Sequence, residues 1–402
     1  MARLLEDDAK RLLANAGVAV PKSTVVTEPE EAETFARELD QPTILKALLP
    51  FGGRQKLGLV KTAETAEECS KTVKNLLGVS VNGFTVGKVL VEERIKISRE
   101  LYAAALNDTA SRSPIVLVSS QGGVDVQEIH AKSPESSAYQ VVDPTGRLEP
   151  FRARELWIRA GVRGPLLVEV TSLLHRLFTI YSNFDATLLE VNPIAITPEE
   201  RVVAASCVIE VDDDALFRHP ELEGKVVRGL DRLWRPLTER EQLVVQADLD
   251  EPSKGDVRYA EFDGGDIGFI CGGGGGSLML QDAVRAFGGK PANYSEWGGN
   301  PSARKMETLT RVVLSKPGVK GLLVCLNISN NTRIDTAAGA ITKVLKESRL
   351  DTRRFPVVIR LAGLSDESAK EVVESAGFEY HGEDLTMDES ARLIVERMRN
   401  IG

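Results

Sequence analysis

Asp266-Ile267-Gly268-Phe269-Ile270-Cys271-Gly272-Gly273-Gly274-Gly275-Gly276-Ser277 runs an apolar segment into five glycines, and its reading decides how the second half of the chain folds. A short, continuous apolar run bounded by turn residues is the pattern of a strand covered on both faces, as in a parallel sheet. Helical spacing resumes over 277–287, so the glycines form the turn between strand and helix. The alternation continues downstream, with strands expected over 292–295, 321–327, 357–361 and 378–381. Helices are expected between and after them, over 302–315, 332–348, 366–376 and 388–399. Strands alternating with helices in this way predict a parallel, doubly wound α/β sheet.

Working back from that stretch, composition changes around 220–256, which is rich in charge and proline and has little apolar period. This segment reads as a linker region with a boundary near 237, giving domains 1–237 and 238–402. Ahead of it, residues 3–16 carry Leu5, Ala9, Leu12, Leu13 and Ala16 at helical spacing, and Gly17 supplies the stop. Short strands over 43–46, 59–61, 86–93, 100–106 and 115–119 and a long helix over 166–184 give an α+β first half with much antiparallel pairing.

Composition narrows the function classes. A chain of 402 residues with 42% apolar and 27% charged residues is an ordinary globular protein of two or three domains. The net charge of −9 argues against a groove that tracks nucleic acid. No apolar stretch approaches the roughly 20 residues of a membrane span. Glu6, Asp7 and Asp8 make the start unlike a secretory signal, so a cytoplasmic location is expected. Cys69, Cys207, Cys271 and Cys325 lie far apart and read as buried free thiols. The four histidines show neither metal spacing nor a partnered nucleophile and read as structural.

Several segments carry polar groups that a plain core does not require. Leu188-Leu189-Glu190-Val191-Asn192-Pro193-Ile194 sets a carboxylate and a carboxamide two residues apart, on one face if the run is a strand. Burying a neutral amide without a partner costs roughly 2–7 kcal/mol, and a charge more, which points to a ligand. The alternative is a core strand with two satisfied polar groups. Pro193 favours an edge or strand-end position. Lys46 on a strand, followed by Gly52-Gly53-Arg54-Gln55-Lys56, sets cations beside backbone N–H groups able to approach phosphate oxygens. A solvated basic hairpin is the alternative. Glu92, Glu93 and Glu100 are candidates for ribose hydroxyls or an adenine amino group, or plain surface charge.

In the second half, Gly272, Gly273 and Gly274 lead into a helix N-terminus, a site for an anion or coenzyme phosphate. A dinucleotide is less suited, because no ribose-binding acid stands about 20 residues on. Asn327-Ile328-Ser329-Asn330-Asn331-Thr332 repeats the strand-to-helix passage with more polar groups than capping needs. Tyr294-Ser295-Glu296-Trp297-Gly298-Gly299-Asn300-Pro301 belongs to the same sheet edge. The carboxyl edge of such a sheet is where ligands gather.

In order, Lys46, Gly-Gly-Arg, Leu-Val-Glu-Glu, Arg-Glu-Leu-Tyr, Gln-Gly-Gly-Val-Asp, Glu-Val-Asn-Pro, Ala-Leu-Phe-Arg-His-Pro, the glycine loop and Gly-Gly-Lys-Pro-Ala-Asn-Tyr span nearly the whole chain. The series resembles the β subunit of ADP-forming acid–CoA ligases, a superfamily with succinyl-CoA synthetase, malate–CoA ligase, citryl-CoA synthetase and ATP-citrate lyase. Gly-Gly-Arg-Gln-Lys-Leu-Gly-Leu-Val-Lys and Ala-Asn-Tyr-Ser-Glu look closer to the citrate branch. The resemblance implies an ATP-grasp domain followed by a flavodoxin-like ligase domain. It implies ATP with Mg²⁺ in the first domain, a di- or tricarboxylic acid such as citrate, succinate or malate, and CoA bound mainly by a partner. It places Lys46 and Gly53 on the nucleotide phosphates, Glu92 near ribose or adenine, and Glu100 near adenine and the hinge. Asn192 becomes a Mg²⁺ ligand, and Glu190 orients a phosphohistidine visiting from a separate α subunit. The loop at 272–274 and the one before the helix after Asn331 face the acid and the phosphohistidine.

Three positions depart from the family pattern. Ser206 stands where the family carries a metal-binding aspartate, Ser329-Asn330-Asn331 where it carries Gly-Gly-Ile or Ala-Asn-Phe, and Gly272 where succinate enzymes carry asparagine. The neutral Ser206 leaves a second reading open, a catalytically degenerate subunit with an assembly or regulatory role.

Overall fold

The computed structural model describes residues 2–123, 134–228 and 235–400. Val124 and Asp125 of the Gln-Gly-Gly-Val-Asp motif, and His130, lie outside them. The chain divides into two compact units, Met1–Pro236 and Leu237–Gly402.

In the first unit the elements are β1 (Ala2–Leu4), α1 (Glu6–Asn15), β2 (Ser23–Val26), α2 (Pro29–Leu39), β3 (Thr43–Ala47), β4 (Val60–Ala63), α3 (Ala66–Leu76), β5 (Ser80–Val81), β6 (Phe84–Thr85) and β7 (Val89–Glu93). They continue with β8 (Arg99–Asp108), β9 (Ser113–Ser119), β10 (Ser137–Val141), α4 (Pro150–Arg159), α5 (Leu166–Asn183), β11 (Ala186–Ile196), β12 (Val202–Ala204), β13 (Cys207–Val211) and β14 (Val226–Arg228). A four-stranded antiparallel sheet runs β2-β7-β3-β4, and a larger one runs β10-β9-β8-β11-β13-β1-β14 with β12 paired to β11. Leu189, Val191 and Ile209 of the larger sheet pack with Trp157 of α4 and Leu174 and Leu177 of α5. The period of two then turns Glu190 and Asn192 to the other face.

Two expectations are corrected here. Residues 3 and 4 are not helical: with Ala2 they form β1, which pairs with β13 and β14, and α1 starts at Glu6. Nor is the Glu190 strand at an edge, since β11 lies between β8 and β13. Pro193 is tolerated there because the pairing with β8 breaks step between Val191 and Ile194, so its missing N–H falls at a bulge. The Asn192–Pro193 peptide is cis.

The second unit opens with α6 (Glu239–Asp250), inside the segment whose weak apolar period suggested a linker. The helix buries only Glu241, Val244 and Ala247, while Thr238 and Glu241 form a reciprocal capping box. Its sequence signal was the cap, not the period. Then follow β15 (Val257–Glu261), β16 (Ile267–Gly272), α7 (Gly274–Ala286), β17 (Asn293–Trp297), α8 (Ala303–Ser315), β18 (Gly321–Leu326), α9 (Ile334–Glu347), β19 (Val357–Arg360), α10 (Asp366–Ser375), β20 (Tyr380–His381) and α11 (Met387–Arg399). The sheet order β15-β17-β16-β18-β19-β20 contains the flavodoxin-like 2-1-3-4-5 arrangement, with β15 added antiparallel at one edge. Helix α7 starts at Gly274, three residues before the expected start at 277, so three of the glycines are its first turn.

Candidate active site

In β3, Leu45 and Ala47 pack into a core with Val89 and Val91 of β7. The alternation turns Lys46 to the opposite face, with Glu92 of β7. The first turn of α1 reaches this face. Lys46 Nζ bonds Glu6 Oε1 at 2.8 Å, Glu92 Oε2 at 2.7 Å and the Ala205 carbonyl at 2.9 Å. Lys10 Nζ bonds the same carbonyl at 2.8 Å, pairs with Glu92 Oε1 and stands 3.2 Å from Glu6 Oε1. The remaining oxygen of Glu6 pairs with Arg54, whose Nη1 donates to the Ala47 carbonyl at 3.1 Å.

All four side chains of this cage, Glu6, Lys10, Lys46 and Glu92, are buried. Charges can be buried together only when paired and hydrogen-bonded. Burial would raise the Glu6 carboxyl, yet Lys46, Lys10 and Arg54 hold it well below the usual carboxylate range. Burial would lower the Lys46 ammonium, and Glu6 and Glu92 reverse that and raise it.

Glu92 was expected at ribose or adenine. The structure buries it at 1% exposure, with both oxygens on lysines. Gly53 sits in the loop after β3 at φ 72° with open space beside it. Sequence reading missed Glu6 and Lys10. Their signal was a charged pair on the buried stripe of α1, Glu6-Ala9-Lys10-Leu13.

The face of the larger sheet carries the other candidates. The Asn192 N–H donates to the Ser206 carbonyl at 3.0 Å, so these residues oppose each other across β11 and β13. Asn192 Oδ1 accepts the Gly123 N–H at 2.8 Å. The Glu100 carboxylate packs against Gly123, where a Cβ would fall 2.0 Å from Glu100 Oε2. Glu100 and Asn192 are thus gathered by the glycine turn after β9. Arg3 lies 3.6 Å from Glu210 and its titration is lowered by burial, opposed by Glu210 and then Glu190. Cys207, next to Ser206, is buried and its thiol is pushed up to about 12, which keeps it neutral.

In the second unit the carboxyl edge of the sheet gathers the expected loops. A Cβ at Gly272 would lie 2.2 Å from the Leu326 side chain and 3.1 Å from the Trp297 ring, so any side chain there requires Leu326 to shift. Gly273 uses its N–H on the Trp297 carbonyl at 3.0 Å. The Glu296 carboxylate, hydrogen-bonded by Tyr294, packs against Gly274. An anion approaching the first turn of α7 therefore meets a carboxylate already there.

Asn300 ties the next two loops together: its N–H donates to Thr332 Oγ1 at 3.1 Å and its Nδ2 to the Asn331 carbonyl at 2.8 Å. Ser329 is buried and its Oγ accepts the Thr332 N–H at 3.0 Å, while Asn330 and Asn331 are exposed. Beneath this loop lies Arg360, 4% exposed. Its guanidinium donates to the carbonyls of Leu326, Asn327 at 2.7 Å and Leu385 at 2.8 Å. Among the described residues no carboxylate pairs with it, so a buried positive charge stands under the polar loop. Its sequence signal was an arginine closing the apolar run Val357-Val358-Ile359.

Comparisons with known proteins give the family. An ATP-grasp domain family matches residues 3–196, and a family described as ATP citrate lyase citrate-binding matches residues 235–382. The chain is 37% identical to the β subunit of GDP-forming succinate–CoA ligase from Thermus thermophilus, over 92% of this chain and 93% of that protein. It is 34% identical to the ADP-forming β subunit from Rubrobacter xylanophilus, over 99% of both. The chain belongs to the acid–CoA ligase β-subunit family. A further family member, the ADP-forming β subunit 1 from Archaeoglobus fulgidus, is 36% identical over 98% of this chain and 99% of that protein. The structure of ATP citrate lyase from Methanothrix soehngenii, in complex with citrate and coenzyme A, superposes with a TM-score of 0.80 at 20% identity, covering 98% of this chain and 99% of that one. That match establishes the shared fold: an ATP-grasp unit followed by a parallel-sheet unit.

Proposed function

We propose that this β-type subunit binds ATP and Mg²⁺ in its first unit and a di- or tricarboxylic acid at the carboxyl edge of its second. With a partner α subunit it would convert ATP, acid and CoA into acyl-CoA, ADP and phosphate. The observation that carries the reading is the bond from Lys46 Nζ to the Ala205 carbonyl, one residue from Ser206. It supports one site in which phosphate-facing cations from the smaller sheet meet the metal-side face of the larger one. Lys46 and Arg54 would hold the phosphates. Asn192, Ser206 and Glu190 offer only oxygen donors with one carboxylate among them, which fits a hard cation keeping most of its shell as water and phosphate oxygen. Bound there, Mg²⁺ would neutralise charge on the transferring phosphoryl group. Glu190 would steady a cationic imidazole reaching in from the partner.

For the acid, Arg360 and the loop Ser329-Asn330-Asn331 favour an anion with further hydroxyl or carboxyl groups. The match of residues 235–382 to a citrate-binding family supports citrate, and the curated relatives support succinate. A second reading, a degenerate subunit, is favoured by one observation, the neutral Ser206 opposite Asn192. The test is the co-purified pair of subunits assayed with ATP or GTP against citrate, succinate and malate. Acyl-CoA formation with one acid supports the enzyme, and assembly without turnover of any supports the second reading. The isolated chain with labelled ATP should carry no acid-labile phosphohistidine, and stable phosphate on one of its histidines would remove the need for the partner.

A further inference from the structure

An ammonium group has three N–H donors. Those of Lys46 are all taken, by Glu6, Glu92 and the Ala205 carbonyl. Lys46 therefore cannot donate to a phosphate without releasing one of these acceptors. Arg54 is held by the same carboxylate, with one terminal nitrogen on Glu6 and the other on the Ala47 carbonyl, though a guanidinium has five N–H donors and keeps others for a phosphate. Among the described residues Glu6 is the group common to both cations, with Oε1 toward Lys46 and Oε2 toward Arg54. A carboxylate bridging two cations with one oxygen each imitates a phosphate doing the same.

We propose that Glu6 is a positioning residue that stands in for the nucleotide's phosphates, and that Lys10 takes over the carboxylates when Lys46 and Arg54 turn to the nucleotide. The proposal rests on the reading of Lys46 and Arg54 as the phosphate-facing cations. The geometry supplies both halves of the exchange. Lys10 already touches the same three acceptors as Lys46. It is 2% exposed and cannot reach solvent for another partner. With Lys46 drawn away, Glu6 and Glu92 keep one buried cation rather than none, which limits the cost of leaving charges unpaired. Without Lys10 the carboxylates would hold Lys46 in place. Without the Glu6 charge, the cations would stand prearranged for phosphate with less to displace.

The two changes are therefore expected to move nucleotide binding in opposite directions, which a merely structural pair would not do. The experiment is calorimetric titration of the full chain with Mg-ATP and with adenosine, for wild type, Glu6→Gln, Lys10→Met and Lys46→Met, with a thermal melt of each. Glu6→Gln should melt lower yet bind Mg-ATP about tenfold more tightly, the scale of one charge-assisted hydrogen bond released from competition. Its adenosine affinity should not move. Lys10→Met should bind Mg-ATP about tenfold more weakly. Weaker Mg-ATP binding by both variants, or an unmoved affinity in Glu6→Gln while Lys46→Met loses binding, would overturn the proposal. If Glu6→Gln does not fold, an unmoved Mg-ATP affinity in Lys10→Met overturns it alone. An unmoved Mg-ATP affinity in Lys46→Met would instead overturn the phosphate site on which it rests.

Discussion

The Asn192 N–H donates to the Ser206 carbonyl at 3.0 Å, and this bond fixes the two side chains opposite one another on one face of the larger sheet. The neighbouring pairs, Val191 with Cys207 and Glu190 with Val208, continue the same register. Under the proposed reading, in which Asn192 would hold Mg²⁺, Ser206 occupies the position opposite it where an aspartate would add a carboxylate.

A carboxylate restored at that position adds a full negative charge beside a hard cation. Ser206→Asp should lower the Mg²⁺ concentration needed for nucleotide binding, on the order of tenfold. A Mg²⁺ titration of ATP binding by calorimetry on both proteins checks this. Coincident curves would reject it.

Glu190 lies on the same face, within electrostatic reach of Arg3. Glu190→Gln keeps its shape and hydrogen bonding but removes the charge that would steady an imidazolium. Turnover of the assembled enzyme should fall on the order of 10²-fold, the low end for a proton-handling or orienting group. The melting temperature should stay near that of wild type. Unchanged turnover would assign the residue to packing.

Gly363 backs the polar loop of the second unit at φ 134°, and a Cβ there would fall 2.2 Å from the Ser329 carbonyl oxygen. Alanine must displace the Ser329 backbone as well as strain its own. Gly363→Ala should cost about 1–3 kcal/mol of stability. It should also raise the KM for the acid more than that for ATP. Equal changes in both would detach this loop from the acid.

Asp185 accepts from Arg218 Nε and faces His219 Nε2, each at 2.6 Å. The bond from Arg218, opposed by partial burial and aided by His219, lowers its carboxyl from 3.8 to about 2. A depressed folded value means the stabilisation is full above the unfolded value and lost as pH falls through the folded one, here between about 4 and about 2. Asp185→Asn should lose about 1–2 kcal/mol at pH 7, after allowing for solvent screening of this partly exposed group. The gap to wild type should narrow below pH ~4 in urea titrations, as protonation removes the wild-type advantage. A gap independent of pH would show that the ion pairs contribute nothing.

The alternation of buried strands and helices, the glycine turn after Cys271 and the carboxyl-edge loops were legible because each depends on local period and turn chemistry. Lys46, Arg54 and Asn192 stood out as candidates because their types and spacing mark them before any contact is known, whereas Ser206 was named only through the family resemblance. Their partners did not stand out. Lys10 meets Glu92 and the Ala205 carbonyl across 82 and 195 residues of chain, and Glu6 meets Lys46 across 40, and only the closing of α1 against two sheets brings them together. Pro193 argued locally for an edge, and pairing on both sides of β11 overruled it through a bulge. Arg360 lay unremarked inside the strand expected over 357–361, and only the fold sets it against the Asn327 carbonyl at the start of the Ser329 loop. Sequence by itself determined most of the elements, though not β1 or α6, together with the order of the two units and the residue types at the candidate sites. The tertiary structure alone decided which charges share a buried cage, because pairing in a low-dielectric interior is set by distance in space, not along the chain.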